Sequence, residues 1–328
     1  MSNSDQKPDH WPQSHTPLEP SKLKQLTDSL LPVFKQTLAR EKIPFDTAFS
    51  DTLQYLYIPL SAWLAGHKNN GPLVIGINGS QGSGKSTLTQ ILCDLLEQGF
   101  NKKVVSLSID DLYKTRAERS ELAKSVHPLF KTRGVPGTHD VDLGMSIIQN
   151  LQKKNTHEVQ IPVFDKAIDD RLPESNWNKF TGECDIILFE GWCVGSVPQK
   201  DSDLIDPINE LEKTDDADSI WRNYANNQLQ ESYSELYSLI DVLLMLKIPD
   251  FDKVYEWRKL QEEKLRTSQS AQQNKHSKTM TDSEIDRFIM HYERITRHTL
   301  NEMPERCDIL FEIGKNHRVN NVTARCKP

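Results

Sequence analysis

The chain has 328 residues, 36% of them hydrophobic, and a formal net charge of −7, enough for one large domain or two modest ones carrying polar segments. The acidic balance excludes a general nucleic-acid or anionic-membrane surface, so an anionic ligand has to be held by a local cluster of cations. Cys93, Cys184, Cys193, Cys307 and Cys326 are scattered without a C-x-x-C pair, a pattern of buried free thiols in a reducing cytoplasm and not of a disulfide framework.

Residues 1–20 are rich in Ser, Asp, Pro, His and Gln and have no apolar core; they are expected to form a disordered tail, neither signal peptide nor membrane anchor. Leu23, Leu26, Leu30, Leu31 and Phe34 then recur at helical spacing, and a second helical stretch runs from about Thr52 to His67. Residues 21–70 therefore read as a helical extension ahead of a core spanning 71–328. The core opens with a short β-branched run, Pro72 to Asn78, of buried-strand character.

Directly after it, Gly79-Ser80-Gln81-Gly82-Ser83-Gly84-Lys85-Ser86-Thr87 fits G-x-x-x-x-G-K-[ST], the loop that cradles a nucleoside triphosphate. Several backbone N–H groups must point at one place, which needs bends without Cβ atoms and a helix N-terminus behind them. Lys85 carries a charge to the β/γ-phosphates, and the Ser86 hydroxyl is the usual inner ligand for Mg²⁺. Leu88, Ile91, Leu92, Leu95 and Leu96 put one apolar stripe on the following helix.

Further strands are expected at Val104–Ile109, ending at Asp110-Asp111, and at Asp185–Phe189, ending at Glu190-Gly191. Two more follow at Val242–Leu246 and Asp308–Ile313. Five apolar runs separated by crossover helices give an α/β fold of P-loop NTPase type: a doubly wound, mostly parallel five-stranded sheet flanked by helices, with ligands at the carboxyl ends of the strands. About seventy residues between the second and third strands, roughly 112–183, exceed a simple crossover and are assigned to the acceptor site. Asp201 to Asp218 reads as a solvated acidic surface. Residues 268–280, almost without apolar side chains, read as a mobile polar loop in a helical hairpin.

Phosphoryl transfer needs an acid close to the acceptor hydroxyl, and Asp110 is the candidate base, with Asp111 as competitor or helix cap. Glu190, delivered by an apolar strand, joins Ser86 as candidate metal ligand. Within the insertion, Arg133-Gly134-Val135-Pro136-Gly137-Thr138-His139-Asp140 is a stiffened loop headed by a cation, and Phe164-Asp165-Lys166 and Asp170-Arg171 add further charges. Tyr113, Arg133, His139, Lys166 and Arg171 are the candidate acceptor contacts, suited to an anionic small molecule. Arg258, in Trp257-Arg258 after the fourth strand, is a candidate lid cation over the phosphates.

In this order the loop at 79–87, Ser108 to Tyr113, Arg133 to Asp140, Phe164-Asp165-Lys166, Phe189-Glu190-Gly191-Trp192 and Trp257-Arg258 resemble the glycerate 3-kinase family, over roughly Tyr57 to Ile313. The loop and the Phe-Glu-Gly motif are shared with uridine kinase, phosphoribulokinase and pantothenate kinase. The resemblance implies ATP- and Mg²⁺-dependent phosphorylation of a small hydroxylated metabolite, with D-glycerate to 3-phosphoglycerate as first choice. Asp169-Asp170-Arg171 stands where that family commonly has Gly-Asp-Arg, and Lys114 replaces an apolar residue often seen after the tyrosine, so the acceptor is less fixed than the reaction. A nucleoside, sugar phosphate or pantothenate-like acceptor is the alternative within the class. Outside it stands a nucleotide-dependent regulatory protein that orders residues 268–280 for a partner. The choice between ATP and GTP and the oligomeric state stay open.

Overall fold

A computed structural model describes residues 7–67, 70–154, 158–259 and 281–325. Along them run strands β1 (Leu73–Gly79), β2 (Val104–Ser108), β3 (Glu158–Ile161), β4 (Phe164–Asp165), β5 (Asp170–Arg171), β6 (Asn178–Thr181), β7 (Ile186–Gly191), β8 (Val242–Lys247), β9 (Ile309–Ile313) and β10 (Val319–Ala324). The helices are α1 (Pro20–Arg40), α2 (Thr47–Thr52), α3 (Ile58–Gly66), α4 (Lys85–Phe100), α5 (Arg116–Ser125), α6 (Val141–Leu151), α7 (Glu210–Asp215), α8 (Ile220–Gln230), α9 (Ser232–Tyr237), α10 (252–259) and α11 (Asp282–Arg306).

One six-stranded sheet, in the order β10-β9-β8-β1-β7-β2, carries the core. The five expected strands pair in parallel. The sixth, β10, was not expected; it adds an antiparallel edge to β9. Residues along each strand alternate between two faces, as the two-residue repeat demands. Ile75, Ile77, Ile186 and Leu188 pack with Leu92 and Leu96 of α4 and with Leu30 and Phe34 of α1. Val74, Ile187 and Phe189 pack with Ile147 and Ile148 of α6 and with Leu236 of α9. Because β7 and β8 flank β1 on opposite sides, the order reverses at β1, and a crevice opens at its carboxyl end.

Two expectations are corrected. From Lys7 onward the supposed disordered tail is built into the fold: Trp11 is buried against Trp63, its N–H bonds to the Tyr55 carbonyl at 2.8 Å, and the Pro8 carbonyl accepts from Val322 N–H at 2.8 Å. A tryptophan supplies the apolar area that the composition of the segment hides. The acidic stretch 201–218 is not simply a solvated surface either. Glu212 receives both edges of the Arg294 guanidinium at 2.7 and 2.6 Å, and Asp216 pairs with Arg222 at 2.9 Å. All four side chains are buried, each charge neutralised by its partner. Residues 268–280 and Cys326 lie outside the described residues. Among the described residues no helix is long and apolar enough to cross a membrane.

Candidate active site

Helix α4 starts at Lys85 with Gly84 in left-handed conformation and no side-chain cap, which leaves its first N–H groups for an anion. Gly82 also has positive φ, +80°, and a Cβ there would come within 2.8 Å of Trp257 Cβ. Trp257 of α10 thus lies against the loop, with the His317 ring tilted against it at 4.0 Å. The Ser80 and Ser83 hydroxyls and Gln81 Oε1 are buried with no hydrogen-bond partner among the described residues. Thr87 is different: its hydroxyl donates to Glu41 at the end of α1, at 3.3 Å.

Glu190 leaves the carboxyl end of β7, in register with Ile77 of β1 and Ser108 of β2. Its Oε1 lies 3.4 Å from Ser86 Oγ and its Oε2 lies 4.0 Å from Lys85 Nζ. That Oε2 is buried and has no hydrogen-bond donor among the described residues. A hydroxyl beside a carboxylate with an unsatisfied buried oxygen suits Mg²⁺, which keeps water and phosphate oxygens as its remaining ligands and does not need an all-protein cage.

Beyond β2 a 3₁₀ turn, Ile109–Leu112, carries the two aspartates, fixed by Ser108 Oγ accepting from Asp110 N–H. They diverge. Asp110 Oδ2 takes a 2.6 Å bond from Lys166 Nζ, while Asp111 Oδ1 takes the Phe164 N–H at 3.1 Å and so ties down β4. Burial pushes the Asp110 carboxyl up, but the ammonium of Lys166, with Lys85 behind it, outweighs burial and holds it down at about 2. Asp111 is raised to about 6 by burial, an effect that the Phe164 N–H partly relieves and the neighbouring Asp110 charge reinforces.

The loop 133–140 pairs with the turn, Lys114 N–H to Thr138 and Asp140 N–H to Leu112. This stacks His139 on Tyr113, ring centres 4.5 Å apart. Tyr113 is 2% exposed and His139 1%, so the two expected acceptor contacts form the wall behind the cleft, locked by their mutual stacking and by the 2.6 Å bond between His139 Nδ1 and the Tyr233 hydroxyl. Burial depresses the imidazole to about 3, leaving it neutral. Gly134 admits the Tyr292 hydroxyl, which a Cβ would meet at 2.6 Å.

The family model for the phosphoribulokinase/uridine kinase family matches residues 74–211. An uncharacterized kinase of Schizosaccharomyces pombe is 35% identical over 234 residues, covering 67% of this chain and 78% of that protein. This chain belongs to the phosphoribulokinase/uridine kinase family. The chloroplastic D-glycerate 3-kinase of Arabidopsis thaliana is 30% identical over 261 residues, covering 73% of this chain but about half, 53%, of the plant protein. A solved D-glycerate 3-kinase from Cryptococcus neoformans superposes with a TM-score of 0.66 at 22% identity, over 94% of this chain and all of that one, and shares the fold. The protein is accordingly a small-molecule kinase with a P-loop for its nucleotide.

In this kinase the expected cations reach the same region but are already engaged. Arg171 Nη1 bonds Asp140 at 2.9 Å and its guanidinium lies 5.9 Å over Trp177. Arg133 pairs with Asp169 and lies 5.5 Å over Phe164. Arg258 sits 5.7 Å over Phe288, close enough to act on the Tyr292 hydroxyl. Sequence reasoning missed Arg119, fully buried, which gathers the carbonyls of Lys114, Lys131 and Asp169 and so fastens α5 to both loops. In the polar stretch Arg116 to Ser125 it looks like a surface arginine, so nothing in the pattern marks it.

Proposed function

We propose that the kinase transfers the γ-phosphoryl group of ATP to a hydroxyl of D-glycerate, giving 3-phosphoglycerate. The observation that supports this reading is the Asp110 carboxylate after β2, which pairs with Lys166 at 2.6 Å and feels the Lys85 charge. The P-loop and Lys85 bind and orient the triphosphate, and Ser86 with Glu190 would hold Mg²⁺. The metal, when bound, supplies charge neutralisation between the β- and γ-phosphates. Asp110 orients the acceptor hydroxyl and takes its proton as the new O–P bond forms and the bond to the β–γ bridging oxygen breaks, releasing ADP. Arg258, on the helix that rests against Gly82, shields the charge on the transferring group. Of the two acids Asp110 suits the base better, because Asp111 spends an oxygen on the Phe164 N–H.

The plant relative's activity and the cationic side chains of the insertion support the acid acceptor, and the free thiols of Cys93, Cys184, Cys193 and Cys307 support a cytoplasmic setting. ADP release measured against D-glycerate, L-glycerate, glycerol, uridine, ribulose 5-phosphate and pantothenate tests the acceptor. D-Glycerate is expected to give the highest kcat/KM, and no response to it would remove this assignment.

A further inference from the structure

Asp169 is a non-glycine residue in left-handed conformation, φ +55°, at the bend between β4 and β5. Such a backbone is unfavourable for a side-chain-bearing residue and persists where surrounding contacts hold it. Here the contacts are two guanidinium groups. Asp169 Oδ2 lies 3.0 Å from Arg119 Nη2, its carbonyl accepts from the same nitrogen at 2.7 Å, and its Oδ1 bonds Arg133 Nη1.

The two arginines differ. Arg119 is anchored by two further carbonyls and closed to any ligand. Arg133 is 20% exposed, and its charge is felt by the Tyr113 and Tyr292 hydroxyls, which also feel Asp110. Its guanidinium lies 5.5 Å over Phe164, whose ring packs on Tyr113 and whose N–H bonds Asp111, next in sequence to the proposed base, and its carboxylate partner comes from the protein itself. Asp169, 33% exposed, can be released from one arginine while the other keeps it.

We propose that Asp169 determines acceptor specificity: its carboxylate occupies Arg133 in place of the acceptor's anionic group. A short hydroxy acid then binds by exchanging its own carboxylate for that of Asp169 on Arg133, while Arg119 retains Asp169. A neutral polyol makes no such exchange. Asp169 thus weakens the hold on acids without weakening that on uncharged acceptors. This rests on the reading of residues 112–183 as the acceptor site.

Asp169→Asn tests the exchange, since Asn tolerates left-handed backbone and keeps an oxygen for Arg119. Asp169→Gly is the second variant, because it also relieves the bend and stays informative if the first fails to fold. With D-glycerate, KM is expected to fall about tenfold at nearly unchanged kcat, the scale of one partly exposed charge-assisted bond. Glycerol kinetics should not change, so the acid-to-polyol ratio of kcat/KM rises about tenfold. A merely structural role would lower thermal stability and both activities together and leave that ratio fixed, which would overturn the proposal. If the wild type turns over neither compound, the proposed reaction fails, and calorimetric titration of D-glycerate into protein saturated with a non-hydrolysable ATP analogue decides the exchange separately. Binding about tenfold tighter in a variant supports it; equal or undetectable binding throughout overturns it.

Discussion

Replacing Lys166 by Met should move the acid limb of the pH profile. With Lys166 at 2.6 Å, Asp110 sits at about 2 against an ordinary value of 3.8, a difference of nearly two pH units or about 2.4 kcal/mol of preference for the ionised form. Solvent at a side chain 31% exposed screens the pair, so about 1–2 kcal/mol is the working figure. Burial is the largest influence on this carboxyl and acts upward, so without the ammonium Asp110 should titrate at or somewhat above its ordinary value. A depressed pKa keeps the base ionised well into acid, and raising it lets protons reach the base earlier. The assay is kcat/KM for the acceptor between pH 4.5 and 8.5 at saturating ATP, with ADP quantified by ion-exchange chromatography. The quantity read is the ratio of variant to wild type at each pH, in which the acceptor's own titration cancels. That ratio should be level above about pH 6 and fall progressively below about pH 5. A ratio constant across the whole range would refute both the pairing and the role given to Asp110.

Gly82→Ala must place a Cβ at φ +80° and within 2.8 Å of Trp257 Cβ, so the loop or α10 has to shift; ATP affinity by calorimetry should fall about tenfold or more at a cost of about 1–2 kcal/mol in the fold. Asp111→Asn keeps an oxygen for the Phe164 N–H and removes the raised carboxyl. An acid whose folded pKa is raised to about 6 binds its proton more tightly when folded, so the wild type loses stability as pH rises from about 4 through 6. Urea unfolding without ligands should show the variant gaining about 1–2 kcal/mol on the wild type between pH 4.5 and 7.5, and a constant difference would contradict the burial of Asp111.

Much of the nucleotide half was legible because its information is local. The glycine loop, β1 and the apolar stripe of α4 are contiguous, and buried parallel strands such as Ile186–Phe189 are uninterrupted apolar runs. β10 escaped notice because Val319-Asn320-Asn321-Val322-Thr323-Ala324 is a half-buried edge paired on one side, without such a run. Elsewhere the residue types were visible but not their partners. Arg133 and Asp169 are 36 residues apart, Lys166 and Asp110 are 56, and Arg294 and Glu212 are 82. No periodicity encodes pairings over such separations, nor the stacking of His139 on Tyr113.

The bond from Val322 N–H to the Pro8 carbonyl joins residues from near the two ends of the described chain. β10 is an edge strand, and an edge offers unsatisfied N–H and C=O groups to any other extended chain. The Pro8 carbonyl takes up one of these donors, and Trp11, three residues on, is buried against Trp63. That cover depends on a contact of very high sequence separation, between Pro8 and Val322. Without Pro8, that N–H of β10 would be left open to pairing with another extended chain.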